Sequence, residues 1–236
     1  MKVLEIPIDG TTRKGTLEGV KRFLESDSFH QIVTVNPEFV LLSEKDAIFR
    51  QALLSADMRI ADGIGIVFAG LAQGILVERF SGADLMGEIL KMCQEKELAV
   101  FLALRKDGLS SLGEIKSALA KKYPLLAVSG QEFDTNREDT KPNLSDSSVL
   151  LCNFGAPKQE VFLSSVRKHP ENVRLAMGVG GAFDYLTGKV PRAPKLIRKL
   201  GLEWLWRLFL QPRRLGRIWN AVIVFPLHLI LATTKK

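Results

Sequence analysis

The sequence predicts an α/β fold: a Rossmann-like, mainly parallel sheet with helices on both faces, followed by a C-terminal helical appendage that carries the marks of membrane binding. Three observations predict it. Short β-branched and aliphatic runs alternate with longer segments of helical periodicity, the rhythm of βαβ units. The chain has 236 residues, 46% of them hydrophobic, enough for one packed domain. Its net charge of +7 is unevenly placed, because Lys189 to Arg217 holds nine basic residues against the single acid Glu203. Residues 1–188 are therefore slightly acidic.

Taken in order, the strand candidates are Gln31–Val35, Met58–Ala61, Leu98–Leu104, Leu125–Val128, Val149–Asn153 and Arg174–Val179. Helical periodicity covers Glu38–Leu54, Ala83–Glu95, Leu109–Lys122 and Gln159–Lys168. Asp134–Ser148 is the most polar stretch and reads as a surface loop. Pro191 and Pro194 mark a boundary, giving an α/β domain over 1–190 and a basic and apolar appendage over 191–236.

In open parallel sheets, ligands bind beyond the carboxyl ends of the strands, so the residues there are the site candidates. In Thr34-Val35-Asn36-Pro37, Asn36 fits an N-cap and Pro37 a first helical position, while Thr34 sits at the strand mouth. Asp62, in Ala61-Asp62-Gly63, serves equally as a turn residue, a helix cap or a general base. Ser81 and Asp84 resemble a capping box, and Arg79 just before them is either a surface arginine or a cation for a phosphate. Gly155-Ala156-Pro157 leads into Lys158 and Gln159. The Gln159 amide can both donate and accept, as sugar hydroxyls require. Gly178-Val179-Gly180-Gly181 is a glycine-rich strand-to-helix turn able to seat a pyrophosphate on backbone N–H groups.

After the basic stretch comes an uncharged run, Ile218–Thr234, of 17 residues interrupted by Asn220, Pro226 and His228. It falls short of the ~20 residues of a membrane span. Basic and aromatic residues beside a short apolar run suit a segment lying in the interface of an anionic membrane. The alternative is a helix packed on the domain or in a subunit contact, with a solvated basic face.

Other classes are disfavoured. The start, MKVLEIPIDG, lacks a secretory signal pattern. Cys93 and Cys152 have no CxxC spacing and read as reduced core residues of a cytosolic protein. His30, His169 and His228 are scattered, and no metal-ligand cluster or cofactor motif stands out, so no metal is expected. Nucleic acid is not expected as a partner, since no zinc spacing or recognition-helix signature accompanies the basic excess. A dinucleotide enzyme would need G-x-G-x-x-G near the first strand with an acid ~20 residues on, and that is missing.

Together the segments TVNPEFV, ADGIGIV, ERFSGADL, NFGAPKQE, GVGGAFDYLTGKVPRAP and GLEWLWRLFLQPRRLGR resemble the WecG/TagA/CpsF glycosyltransferases (glycosyltransferase family 26). The resemblance runs from about residue 30 to residue 217. It implies a metal-independent, inverting transfer of a sugar, N-acetylmannosamine, its uronic acid or a related hexose, from a UDP donor. The implied acceptor is a polyprenyl-diphosphate-linked N-acetylglucosamine at the inner face of the bacterial plasma membrane, in cell-surface polysaccharide synthesis. It places the catalytic base on Asp62 and other active-site positions on Thr34, Asn36, Arg79 and Gln159. Arg207, Arg214 and Arg217 match the arginines of the family's appendage. Two loops depart from the family pattern, LALRKDG after Leu98–Leu104 and SGQEFDTN after Val128, both at the crevice edge where donor recognition is expected. The competing readings are a soluble nucleotide-binding enzyme of Rossmann type and a non-catalytic module for anionic surfaces.

Overall fold

The computed structural model describes residues 1–136, 142–212 and 215–233, apart from the side chains of Lys199, Arg217, Ala232 and Thr233. Six parallel strands form the sheet: β3 (His30–Val35), β4 (Met58–Ala61), β5 (Val100–Arg105), β6 (Val128–Phe133), β7 (Val149–Cys152) and β8 (Leu175–Gly178), in the order β4-β3-β8-β7-β5-β6. The last strand is thus inserted in the middle. A short antiparallel pair, β1 (Lys2–Val3) with β2 (Ile6–Pro7), lies apart from the sheet.

Side chains alternate between the two faces, as strand geometry requires. Ile32, Ile60, Leu102, Leu104, Leu151 and Met177 enter the core under α1 (Arg13–Glu25), α5 (Gly82–Glu95), α6 (Leu112–Lys122) and α8 (Ala182–Leu186). The opposite face has two cores. One joins Val33 and Val35 to α2 (Pro37–Ser43), α3 (Ala47–Ser55) and α4 (Ile64–Leu71); the other joins Ala103, Leu150 and Ala176 to α7 (Lys158–Val166).

Several boundaries differ from the sequence reading. The single helix expected over Glu38–Leu54 is two, because the Asp46 carboxylate accepts the Phe49 N–H at 2.9 Å and caps a new start. The periodicity ran on unbroken because Phe39 and Phe49 bury in the same core, their rings 5.3 Å apart. The expected strand Leu125–Val128 is a turn into β6, whose register is set by Val128 beside Val100. Leu125 is exposed. The real strand, VSGQEF, is a polar edge strand, so its hydrophobic signal was weak. Helices α1 and α4 were not anticipated.

The appendage consists of α9 (Lys195–Lys199), α10 (Glu203–Leu210), α11 (Leu215–Trp219), one π-helical turn (Asn220–Val224) and α12 (Phe225–Thr233). Phe225 is fully buried in the core of α2 and α4 and pins α12 to the domain. Among the described residues, no helix is long and apolar enough to cross a membrane.

Candidate active site

The carboxyl ends of β3, β4, β7 and β8 open onto a polar cleft of about 440 Å³. It is bounded by Thr34 and Asn36 after β3, Asp62 after β4, the start of α5 at Ser81–Ala83, Asn153–Ala156 after β7 and Gly178–Ala182 after β8. A smaller and more apolar cleft of about 190 Å³ lies between the domain and the appendage, lined by Pro37, Ile64, Gly65, Gly201, Trp204, Ile218, Ala221 and Val222. Asn36, Asp62 and Arg207 line both.

Asp62 stands at that junction because β4 ends there. Its N–H bonds the carbonyl of Val35 at 2.9 Å, continuing the parallel ladder by one residue. The backbone N–H of Gly82, the first residue of α5, favours the charged form of Asp62, so a helix N-terminus faces it. Burial raises its pKa, and the charges of Arg79 and Arg207 pull it partly back.

Arg79 is held from three directions. Its Nε donates to the Asp62 carbonyl at 2.6 Å, Nη1 to the Arg198 carbonyl at 3.0 Å and Nη2 to the Glu203 carboxylate at 2.8 Å. Arg207 also reaches Glu203, at 3.4 Å, and lies over the Tyr185 ring with its carbon 5.1 Å from the centroid. The Nε of Arg207 is buried and has no partner among the described residues. Burial pushes the Glu203 pKa up, but Arg207 and Arg79 outweigh it and leave the group below its ordinary value. Nearby, Arg192 and Arg198 meet Asp84 at 2.9 and 3.4 Å.

The remaining candidates carry local structure as well as facing the cleft. Asn36 caps α2, accepting the Phe39 N–H at 3.1 Å, with Pro37 at the first helical position. Ser81 caps α5 through the Asp84 N–H, while the Asp84 carboxylate takes the Ser81 hydroxyl and the arginines rather than closing the box. Thr34 is buried at the mouth of β3, against Gly82. The Gln159 amide oxygen accepts the N–H groups of Gly155 at 3.0 Å and Gly180 at 3.2 Å, and its nitrogen donates to Glu160 at 2.6 Å. Gly155 and Gly180 have φ of +79° and +49°, a region glycine enters without strain. Gln159 therefore ties together the turns after β7 and β8. Glu160 beneath it is buried, and desolvation raises its pKa to about 8.

The structure thus brings Thr34, Asn36, Asp62, Gln159 and Arg207 to one cleft, and Arg79 joins them through the second. Arg214 lies outside the described residues, as does the side chain of Arg217. Sequence reasoning missed Glu203, Asp84, Arg192, Arg198 and Glu160. Asp84 was legible only as half of a capping box, and Glu203 only as the one acid in a basic stretch. Among the described residues, no group of three or more His, Cys, Asp or Glu side chains is placed to hold a metal.

The arrangement offers the carboxylate of Asp62, the N-terminus of α5, glycine turns along the cleft wall and a set of arginines. This is the equipment for deprotonating a hydroxyl beside an anionic leaving group. A comparison with protein families bears on it directly: the model described as "Glycosyl transferase WecG/TagA/CpsF family" matches residues 1–236, the whole chain. The chain belongs to that family of glycosyltransferases.

Proposed function

We propose that this glycosyltransferase moves a hexose, N-acetylmannosamine, its uronic acid or a related sugar, from a UDP donor to a polyprenyl-diphosphate-linked N-acetylglucosamine with inversion. The product serves cell-surface polysaccharide synthesis. The observation that supports this best is the position of Asp62 where a polar cleft and an apolar cleft meet. A transferase must bring two chemically unlike substrates to one base. The polar cleft, with its glycine turns and the start of α5, suits the nucleotide sugar. The apolar cleft under the appendage suits an acceptor that carries a lipid.

In this reading Asp62 accepts the proton of the acceptor hydroxyl as its oxygen attacks the anomeric carbon of the donor, and the bond to the UDP oxygen breaks on the opposite face. A base whose pKa is raised toward neutrality takes that proton more readily. Arg207 meets the charge that builds on the departing diphosphate, together with Arg79 and the other arginines of the appendage, Arg214 and Arg217. No step requires a metal. Thr34, Asn36 and the turns held by Gln159 orient the sugar.

The appendage brings the enzyme to the bilayer. Phe209, Leu215, Trp219, Leu227, Ile230 and Leu231 are exposed among its basic residues, the composition of a segment that lies on an anionic membrane. The test offers a panel of radiolabelled UDP-sugars with a lipid-diphosphate-N-acetylglucosamine analogue and identifies the product and its anomeric configuration. Transfer with retention, or no transfer from any UDP-sugar by a protein that binds the acceptor, overturns the assignment.

A further inference from the structure

The catalytic domain has an apolar surface of its own beside the second cleft. From Gly63 to Val77 the chain carries no charged residue, between Asp62 and Glu78. It forms α4 and the turn that follows, and that turn, Leu71–Leu76, is exposed throughout. Phe68 is 61% exposed, Leu71 49% and Leu76 82%. Monomeric proteins rarely leave large apolar side chains gathered in this way without a partner.

The geometry of α4 says where the surface leads. Ile64, Phe68 and Leu71 are spaced i, i+4, i+7 and share one face of the helix. Ile64, at the head of that stripe, lines the apolar cleft beside Asp62 and packs under the appendage: a Cβ on Gly201 would lie 2.9 Å from its Cδ1. The appendage docks on the same helix, since α12 packs against α4 and the Phe225 ring lies 3.3 Å from where a Gly65 Cβ would be. Its own Leu227, Ile230 and Leu231 remain exposed. One apolar surface therefore runs from the cleft along α4, with the apolar residues of the appendage packed beside it.

We infer that α4 and the turn Leu71–Leu76 form a second bilayer-contacting surface, built into the catalytic domain and inserting hydrocarbon where the appendage supplies charge. The inference rests on the membrane reading proposed above and adds a contact to it. The bilayer is the occupant that fits because the surface is continuous with the cleft assigned to a lipid-linked acceptor, and because it offers neither cation nor anion to a polar partner. The two contacts differ physically. Attraction of basic residues to an anionic surface is screened by salt, whereas apolar insertion persists at high salt.

The full-length protein and its Phe68→Ser/Leu76→Ser variant are sedimented with anionic vesicles at low and at 1 M salt. Both should bind at low salt. At high salt the variant should lose roughly tenfold or more of the residual partitioning for each side chain removed, while keeping the parent's activity on a short-chain soluble acceptor. Independently, Leu76→Cys is labelled with an environment-sensitive fluorophore, which Cys93 and Cys152 will not take up because both are buried. Vesicles should shift its emission to the blue, and lipids spin-labelled in their acyl chains should quench it. Equal high-salt partitioning of parent and variant, or a label that stays in water, overturns this second contact alone. So does a variant that changes oligomeric state in sedimentation velocity with its vesicle binding intact, which makes the surface a contact between copies. A parent that binds no vesicles at low salt overturns the membrane reading and this inference with it.

Discussion

The guanidinium of Arg79 holds the Glu203 carboxylate at 2.8 Å with one end and the backbone carbonyl of Asp62 at 2.6 Å with the other. One side chain thus links the candidate base at the end of β4 to the first turn of α10 in the appendage. A third bond, to the Arg198 carbonyl at 3.0 Å, adds a second attachment point. The appendage is consequently part of the site's wall, and its placement over the apolar cleft depends on a pair largely removed from water.

Breaking that pair from the Glu203 side removes the carboxylate that Arg79 and Arg207 share. Glu203→Ala should therefore destabilise the protein by roughly 3 kcal/mol, the usual cost of orphaning one partner of a buried pair. The loss should concentrate in α9 and α10, read as faster amide exchange there than in β3 or β4. Because the Glu203 pKa is lowered in the fold, the stability it supplies is present above its unfolded pKa and is lost as pH falls through the folded value. An appendage that exchanges at the parent rate in the variant would show that Phe225 and its neighbours hold it unaided.

Asp62→Asn should remove about 10²–10⁴-fold of turnover, the usual contribution of a general base. Binding of UDP should stay close to the parent's. Its melting temperature should match or exceed the parent's at neutral pH, because burial makes the ionised carboxylate costly. In the parent, kcat/KM should fall on the acid side along a limb lying above the ordinary carboxylate value of ~4, since the shift is upward. A variant that keeps both the rate and the acid limb would reduce Asp62 to a helix-start residue.

Much of this arrangement was legible in the sequence, for reasons that differ by residue. The strands of the central sheet announced themselves because both faces are covered, giving unbroken apolar runs such as VLLC and LAMG. The edge strand β6 did not, since its outer positions are polar. Asp62, Thr34 and Asn36 could be found because strand ends in parallel sheets fall at ligand crevices. The Asn36 cap was readable from Asn-Pro alone. The role of Gln159 was not: nothing local shows that its amide reaches Gly180, which is 21 residues away. Long-range partnerships such as Arg79 with Glu203, which are 124 residues apart, are set by where the appendage folds back, and no spacing encodes them. Phe225 likewise looked like one more residue of an apolar tail, yet it is the tail's anchor.

Glu160 supplies a pH test. Its pKa is raised to about 8 by burial, its Oε1 accepts from Gln159 at 2.6 Å, and its Oε2 is buried without a partner among the described residues, as is Oε1 of Gln31. For a carboxyl raised in the fold, stability is fully present below the unfolded pKa and declines as pH rises to the folded one, at up to ~1.4 kcal/mol per pH unit. The window is therefore from about 4.5 to about 8. Glu160→Gln keeps the acceptor for Gln159 and cannot ionise. Its melting temperature should equal or fall slightly below the parent's near pH 5 and exceed it near pH 8. Parallel melting curves for the two proteins across that range would show that Glu160 is ionised without penalty.

Arg207 separates chemistry from membrane docking. It lines both clefts, its Nε is buried and without a partner among the described residues, and its charge is balanced only in part by Glu203 at 3.4 Å. A group so placed is ready to exchange Glu203 for a phosphate oxygen, and a charge-assisted bond of that kind contributes ~1.5–3 kcal/mol. Arg207→Ala should therefore lower transfer by about 10–100-fold, and equally on a short-chain soluble acceptor and on acceptor in vesicles. Arg207→Lys should recover part of the loss, since it restores the charge but not the forked geometry. A docking arginine behaves differently: its removal spares the soluble acceptor, lowers the rate only on vesicles, and loses its effect at high salt. If Arg207 shows that second pattern, the diphosphate charge must be met by the arginines that follow it in the appendage.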